Sequence, residues 1–372
     1  MKVLLAPDKF KGSLTAAEVV THLGRGLTEG GVDFIGCPLA DGGDGSVQTA
    51  IYAGFKSVAI TVAGPTGTRH PAELAFDGRT AVTEVANTCG LALLDGSLEP
   101  LRSSSRGLGD AVRVAVEIGA EQIVLALGGS ASTDGGAGLL GALGLTFLDR
   151  QGHELEPCGA TLGQIHTVVR DAFADLSGIE ILVASDVRNP LFGPTGAAAV
   201  YGPQKGADDD DVSGLEEGLR NLVDHLARAG FANASKIADQ PGAGSAGGLG
   251  FAGLLLGAQL VSGADYFLDL LQFDDHLGEC DLVVTGEGCL DTQTSRGKLA
   301  AVVAGRAGAT PVIAVVGRND ATRADLDAMG IRHAFGLTDL TSRSPATDPV
   351  LTAQLLREVG RRIAGQTERW AS

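Results

Sequence analysis

Gln122-Ile123-Val124-Leu125-Ala126-Leu127 runs directly into Gly128-Gly129-Ser130-Ala131-Ser132-Thr133-Asp134-Gly135-Gly136-Ala137-Gly138. A short apolar run closed by glycines reads as a buried strand, and the segment after the glycines reads as a helix. The same alternation recurs to either side. Val3 to Ala6 is a short strand ending at the Pro7-Asp8 breaker, and Ser13-Leu14-Thr15-Ala16-Ala17-Glu18 starts a helix with Thr15 or Ser13 as N-cap. Further strands are expected near 33–38, 181–184, 282–284, 312–316 and 333–337, with helices near 107–119 and 208–229. Only 57–85 departs from this pattern: alternating segments split by Gly64-Pro65-Thr66-Gly67 and Asp77-Gly78 predict an antiparallel meander.

Strand–helix alternation implies parallel sheet with right-handed crossovers, so the fold class is α/β. At 372 residues the chain exceeds one ordinary core, which predicts two lobes. Residues 1–55 plus 281–372 are expected to form a discontinuous Rossmann-like lobe. Residues 56–280 would form an inserted mixed α/β lobe that contains the meander.

Composition narrows the function. With 28 basic and 45 acidic residues the formal charge is -17. That field repels nucleic acid and anionic membranes, and neither is expected as a partner. An anionic substrate would need local cations. Four of the seven lysines, Lys9, Lys11, Lys205 and Lys298, fall in Gly- or Asp-rich segments. The five cysteines show neither a CxxC pair nor metal-ligand spacing with histidine, which suits a reducing cytoplasm. The opening apolar stretch is too short for a signal peptide, and a cytoplasmic location is expected.

Six junction loops could carry chemistry. In the 128–138 loop, small residues let backbone N–H groups approach phosphate, with the following helix adding its dipole and Asp134 facing a metal ion. The plainer alternative is a helix cap with close helix–sheet packing. No Gly-Lys-Ser/Thr follows, so this is not a P-loop, and the dinucleotide GxGxxG is absent. Asp8-Lys9-Phe10-Lys11-Gly12-Ser13 places two lysines at a strand's carboxyl end. Ala40-Asp41-Gly42-Gly43-Asp44-Gly45-Ser46 can hold Mg²⁺ or simply form an Asp-Gly turn. Ser185-Asp186-Val187-Arg188-Asn189-Pro190 offers an acid, a base and an amide. The two remaining loops are 241–250 and 285–292, the second carrying Glu287 and Asp291 as a possible acid/base pair. No histidine suits an acyl-transfer triad, and His225 is expected to be exposed on its helix.

Taken in order, Ala6-Pro7-Asp8-Lys9-Phe10-Lys11-Gly12-Ser13-Leu14, Pro38-Leu39-Ala40-Asp41-Gly42-Gly43-Asp44-Gly45 and Leu127 to Gly136 resemble the bacterial glycerate kinase family. The likeness continues through Ser185-Asp186-Val187-Arg188-Asn189-Pro190-Leu191, Gly202-Pro203-Gln204-Lys205-Gly206, Gly242 to Gly248 and Thr285-Gly286-Glu287-Gly288. It implies ATP- and Mg²⁺-dependent phosphorylation of D-glycerate, usually at the 2-hydroxyl. It also implies two α/β lobes, one flavodoxin-like, around a cleft holding the active site.

Residue roles follow from the chemistry of phosphoryl transfer, which rests on alignment and charge neutralisation. Gly129, Ser130, Ser132, Thr133 and Lys205 are expected to hold ATP. Asp8, Asp41 and Asp44 would take part in holding Mg²⁺. Asp186 is the expected base, Glu287 the alternative, and Lys9 would offset charge on the moving phosphoryl group. Lys11, Arg188, Asn189 and Lys298 would bind glycerate. The rival readings are a kinase for another small hydroxy acid and a non-catalytic two-lobed protein for small anions.

Overall fold

The computed structural model describes residues 1–290, 299–366 and 369–370. Lys298 and Asp291 lie outside the described residues. The chain divides into two compact units: 1–41, 48–53 and 264–372 form the first, and 42–47 with 54–263 form the second. Residues from Ala264 onward join the first unit because Ala264, Leu268, Leu271 and Phe273 are buried in its core.

The first unit is built on a five-stranded, wholly parallel sheet. Its order is His333–Gly336, Val312–Val316, Leu282–Gly286, Lys2–Pro7, Asp33–Gly36. Counted along this unit, that is the 2-1-3-4-5 order of flavodoxin-like sheets. The order reverses between Lys2–Pro7 and Leu282–Gly286. Leu4 and Ala6 enter one core with Val283, Ala314 and Val316, while Val3 and Leu5 enter the other with Val284, Ile313 and Val315. Because both faces are covered, these strands appear in the sequence as unbroken apolar runs.

Two helices, Ala16–Glu29 and Pro349–Ala364, cover the second of those cores. They meet backbone to backbone: a Cβ on Gly26 would lie 2.1 Å from the Arg357 carbonyl oxygen. Thr15, rather than Ser13, caps the first helix, accepting from the Glu18 N–H while Glu18 Oε2 accepts from the Thr15 N–H.

The second unit contains a six-stranded sheet in the order Gln259–Val261, Glu180–Ala184, Gln122–Ala126, Thr80–Glu84, Arg69–Phe76, Lys56–Ala63. The first four strands run parallel, and the last three form the expected meander. Thr80–Glu84 belongs to both patterns. A small hairpin, Thr146–Leu148 with Thr167–Val169, has no counterpart in the sequence reading.

Helix Asp209–Arg228 is N-capped by Asp208, with Asp209, Asp210 and Asp211 favourably placed at the positive end of its dipole. Its buried face includes Leu215, Leu219, Leu222 and Leu226. His225 is a correction to the sequence reading: it is buried, with Nδ1 2.9 Å from the Asn221 carbonyl oxygen. It flanks Leu222 and Leu226 on the apolar stripe, where the ring packs and the local carbonyl satisfies it. Among the described residues no helix is long and apolar enough to cross a membrane.

Candidate active site

In the second unit the carboxyl ends of the parallel strands are where the quoted loops meet. Gly42 has φ +86°, and a Cβ there would lie 2.4 Å from the Ala184 carbonyl oxygen. The Gly128 N–H donates to Gly42 O at 3.0 Å, and a Cβ on Gly128 would come within 2.5 Å of Gly43 Cα. The Asp44 loop is thus pressed onto the ends of Gln122–Ala126 and Glu180–Ala184. Asp44 is exposed there, and Asp186, two residues past Ala184, is exposed at the same corner. Glu84, unremarked in the sequence, ends the neighbouring strand and accepts from the Val47 N–H at 2.9 Å. Its place at a parallel strand's carboxyl end was the available signal.

The 128–138 loop differs from its expected role in two respects. Asp134 is fully buried and accepts from the Ser105 N–H and Oγ, both at 2.8 Å, and from the Gly136 and Gly138 N–H groups, both at 3.1 Å. It is a structural carboxylate, not one turned toward a metal ion. The helix that follows, Ala137–Ala142, has only six residues. Its first amides are already occupied: Gly138 by Asp134 and Leu139 by Ser105 Oγ at 3.0 Å. A helix-dipole contribution to phosphate binding therefore drops out.

Much of the glycine content here answers to close packing of backbones. A Cβ on Gly136 would strike Ala252, one on Gly244 would lie 2.1 Å from Pro190 O, and one on Gly247 would lie 2.0 Å from Ser132 O. Gly135 N–H donates to Gly247 O at 3.0 Å. Ser132 and Thr133 are fully buried and Ser130 nearly so, whereas Gly129 (φ +81°) is exposed. Among the described residues, the buried Thr133 Oγ1 and Ser245 Oγ make no hydrogen bond, so this cluster keeps two hydroxyls with unused capacity.

Lys205 is 3% exposed, and its ammonium donates to the Ser132 carbonyl oxygen beside Gly247. It ties the Pro203–Lys205 turn to the 128–138 loop. Burial pushes it down to about 8, against the opposing pull of Asp134 and Cys89. Since this folded value lies below the ordinary 10.5, the penalty on the charged form is complete below about pH 8 and fades as pH rises toward 10.5. Lys205→Met removes that titration. Urea unfolding at about pH 7 and about pH 9.5 should show wild type gaining stability relative to the variant at the higher pH. Parallel pH dependence of the two proteins would contradict the buried-ammonium account.

Asn189 and Arg188 lie in the loop after Glu180–Ala184. Arg188 is exposed. The Asn189 side chain is largely engaged, its Nδ2 donating to Thr195 O at 2.7 Å and its Oδ1 accepting from the Tyr201 hydroxyl at 2.8 Å.

The first unit gathers a second set. Asp8 N–H donates to Gly286 O at 2.8 Å, and Asp8 Oδ1 accepts from the Lys9 N–H at 2.7 Å. Phe10 and Leu14 exchange backbone hydrogen bonds at 2.8 and 3.0 Å, which anchors the Phe10 ring inside and leaves Lys9 half-buried and Lys11 exposed. Glu287, half-buried, follows Leu282–Gly286, and its carbonyl accepts from Gly317 N–H at 3.2 Å. Leu39 N–H bonds Pro7 O at 2.9 Å, so the chain runs past the end of the first strand before reaching the exposed Asp41. Asp8, Lys9, Lys11 and Glu287 therefore lie where the strand order reverses, the usual ligand edge of such a sheet.

The comparisons with known proteins agree over nearly the whole chain. The profile of the glycerate kinase family matches residues 3–368. The glycerate kinase of Bacillus subtilis (strain 168) is 40% identical over 329 residues, covering 85% of each chain. The glycerate 2-kinase of Escherichia coli (strain K12) is 37% identical over 354 residues, covering 91% of this chain and 89% of that one. A crystal structure from Salmonella typhimurium LT2, provisionally named glycerate kinase 2, superposes with a TM-score of 0.82 at 35% identity, over 99% of this chain and 98% of that one. Sequence blocks, sheet order and these relatives agree, and the chain belongs to the glycerate kinase family.

Proposed function

We propose that this protein transfers the terminal phosphoryl group of ATP to D-glycerate, giving 2-phosphoglycerate rather than 3-phosphoglycerate, in the cytoplasm. The reading is carried by family membership, and the 2-position by the likeness to a relative named glycerate 2-kinase. The chemistry supports it. In a chain of charge -17, Lys9, Lys11 and Arg188 provide positive charge at strand carboxyl ends, where an anionic donor and acceptor need it.

Asp186 orients the glycerate hydroxyl and receives its proton, with Glu287 as the alternative. Arg188, assisted by Asn189, holds the carboxylate. The loop around Gly129, with Ser130, Ser132, Thr133 and Lys205 shaping it, positions the ATP phosphates. The donor chemistry fits Mg²⁺, which binds through one or two carboxylates plus phosphate oxygens. Asp44 offers an exposed hard-oxygen donor beside the phosphate loop, and Asp8 and Asp41 offer others at the first unit's ligand edge. When bound, the ion neutralises charge on the phosphates.

Phosphorus NMR of the product from ATP, Mg²⁺ and D-glycerate tests the reaction and its position together. A new phosphomonoester resonance split into a doublet by one carbon-bound proton is expected. A triplet would place the phosphate on the 3-hydroxyl, and no new resonance would remove the kinase reading.

A further inference from the structure

We propose that a cavity of about 270 Å³ at the strand-order reversal of the first unit is the pocket for the purine base of the nucleotide donor. The proposal rests on the ATP-dependent reading above and assigns the base a place that no quoted motif indicated. Open parallel sheets bind ligands beyond the strand ends where the order reverses. This cavity lies there, lined by the turn after Lys2–Pro7 and the loop after Leu282–Gly286, with further walls from the loops after the next two strands.

Its chemistry suits a flat, apolar body with a polar edge. Phe10, Leu337, Pro345 and Ala346 supply apolar walls, and the Arg318 guanidinium can stack on a π face. Ser13 supplies a polar handle: it lines the cavity, and its buried Oγ makes no hydrogen bond among the described residues. Such a hydroxyl gains from a base nitrogen what it now lacks. Glycerate, three carbons bearing a carboxylate and two hydroxyls, has too little apolar surface to match these walls. Lys11 lines the same cavity and can meet phosphates leaving it.

The pocket is preformed rather than a gap between mobile side chains. Thr352 Oγ1 donates to Pro345 O at 2.7 Å, Thr338 N–H to Gly317 O at 3.1 Å, and Arg318 N–H to Gly288 O at 3.1 Å. Three walls are thus fixed by hydrogen bonds.

Ala346 is exposed on its loop, so a larger side chain there fills the cavity without entering either core. Calorimetric titration of the full-length wild type and Ala346→Phe with AMP-PNP, and separately with inorganic triphosphate, tests the assignment. Ala346→Phe should weaken AMP-PNP by at least about tenfold, roughly 1.4 kcal/mol. It should leave triphosphate affinity and the KM for glycerate within about twofold, a change smaller than one lost contact. Ser13→Ala should weaken AMP-PNP in the same direction by less.

Unchanged AMP-PNP affinity in Ala346→Phe overturns the proposal, as does equal weakening of triphosphate or a wild type that binds no AMP-PNP. The kinase reading fails separately. Wild type that binds AMP-PNP in this pocket but makes no phosphoglycerate removes the reaction and keeps the pocket. Normal turnover with an unaltered KM for ATP in Ala346→Phe removes only the pocket.

Discussion

Asp186→Asn should lower turnover by about 10²- to 10⁴-fold, the usual contribution of a positioned general base, while leaving the KM for glycerate within a few-fold. Asn keeps the shape and one acceptor oxygen but cannot take the hydroxyl proton. Asp186 is exposed past the end of Glu180–Ala184, so the substitution enters no packed core and the variant should fold as wild type does. Steady-state kinetics of Asp186→Asn beside Glu287→Gln decides between the two carboxylates. Near-normal turnover in Asp186→Asn, with collapse in Glu287→Gln, would move the base to the first unit. A raised KM with unchanged kcat would make Asp186 a binding group instead.

Asp134→Ala is expected to be the most damaging single change to the fold of the second unit. Its carboxylate accepts from four buried donors, the Ser105 N–H and Oγ and the Gly136 and Gly138 N–H groups. Each orphaned donor costs about 1–3 kcal/mol. Relaxation recovers part of that, so a loss of about 3–5 kcal/mol is expected, comparable with breaking a buried ion pair. For a unit of this size it corresponds to a melting temperature lower by roughly 10 °C. Asp134→Asn should fall between the two, because an amide keeps one acceptor oxygen but turns an N–H₂ toward the remaining donors. Thermal and urea unfolding of the three proteins provide the measurement. A loss below about 1 kcal/mol in Asp134→Ala would mean that the network does not organise the loop.

These two aspartates differ in how far sequence could reach them. Both stand in loops after apolar runs, and nothing local separates them. Ser105, which occupies Asp134, lies 29 residues earlier, across a helix and a strand. Lys205 was legible as a lysine in a glycine loop, but its capture by the Ser132 carbonyl, 73 residues away, was not. His225 was misplaced for a similar reason. Its polar type suggested water, but the helix carried it onto the packed face.

The glycines show the same division. Their clustering marked correctly where loops fall at strand ends, because only such turns need positive φ and close backbone approach together. Which backbone each approaches is another matter. Gly42 meets Ala184, Gly247 meets Ser132 and Gly26 meets Arg357, all across long separations, and ligand contact was only one of the possible reasons for them.

By itself the sequence determined the α/β class, most of the strand sites, the meander, the start of the first helix and, through its motif blocks, the family. These are set by short-range terms: apolar periodicity, caps and turn residues act within a few positions. Tertiary structure alone decided the 2-1-3-4-5 strand order, the join at Ala264, the burial of Asp134 and Lys205, and the cavity beside Phe10 and Ser13. Desolvation and hydrogen-bond satisfaction depend on what the folded chain brings alongside each group, and in these cases the neighbours lie tens to hundreds of residues away.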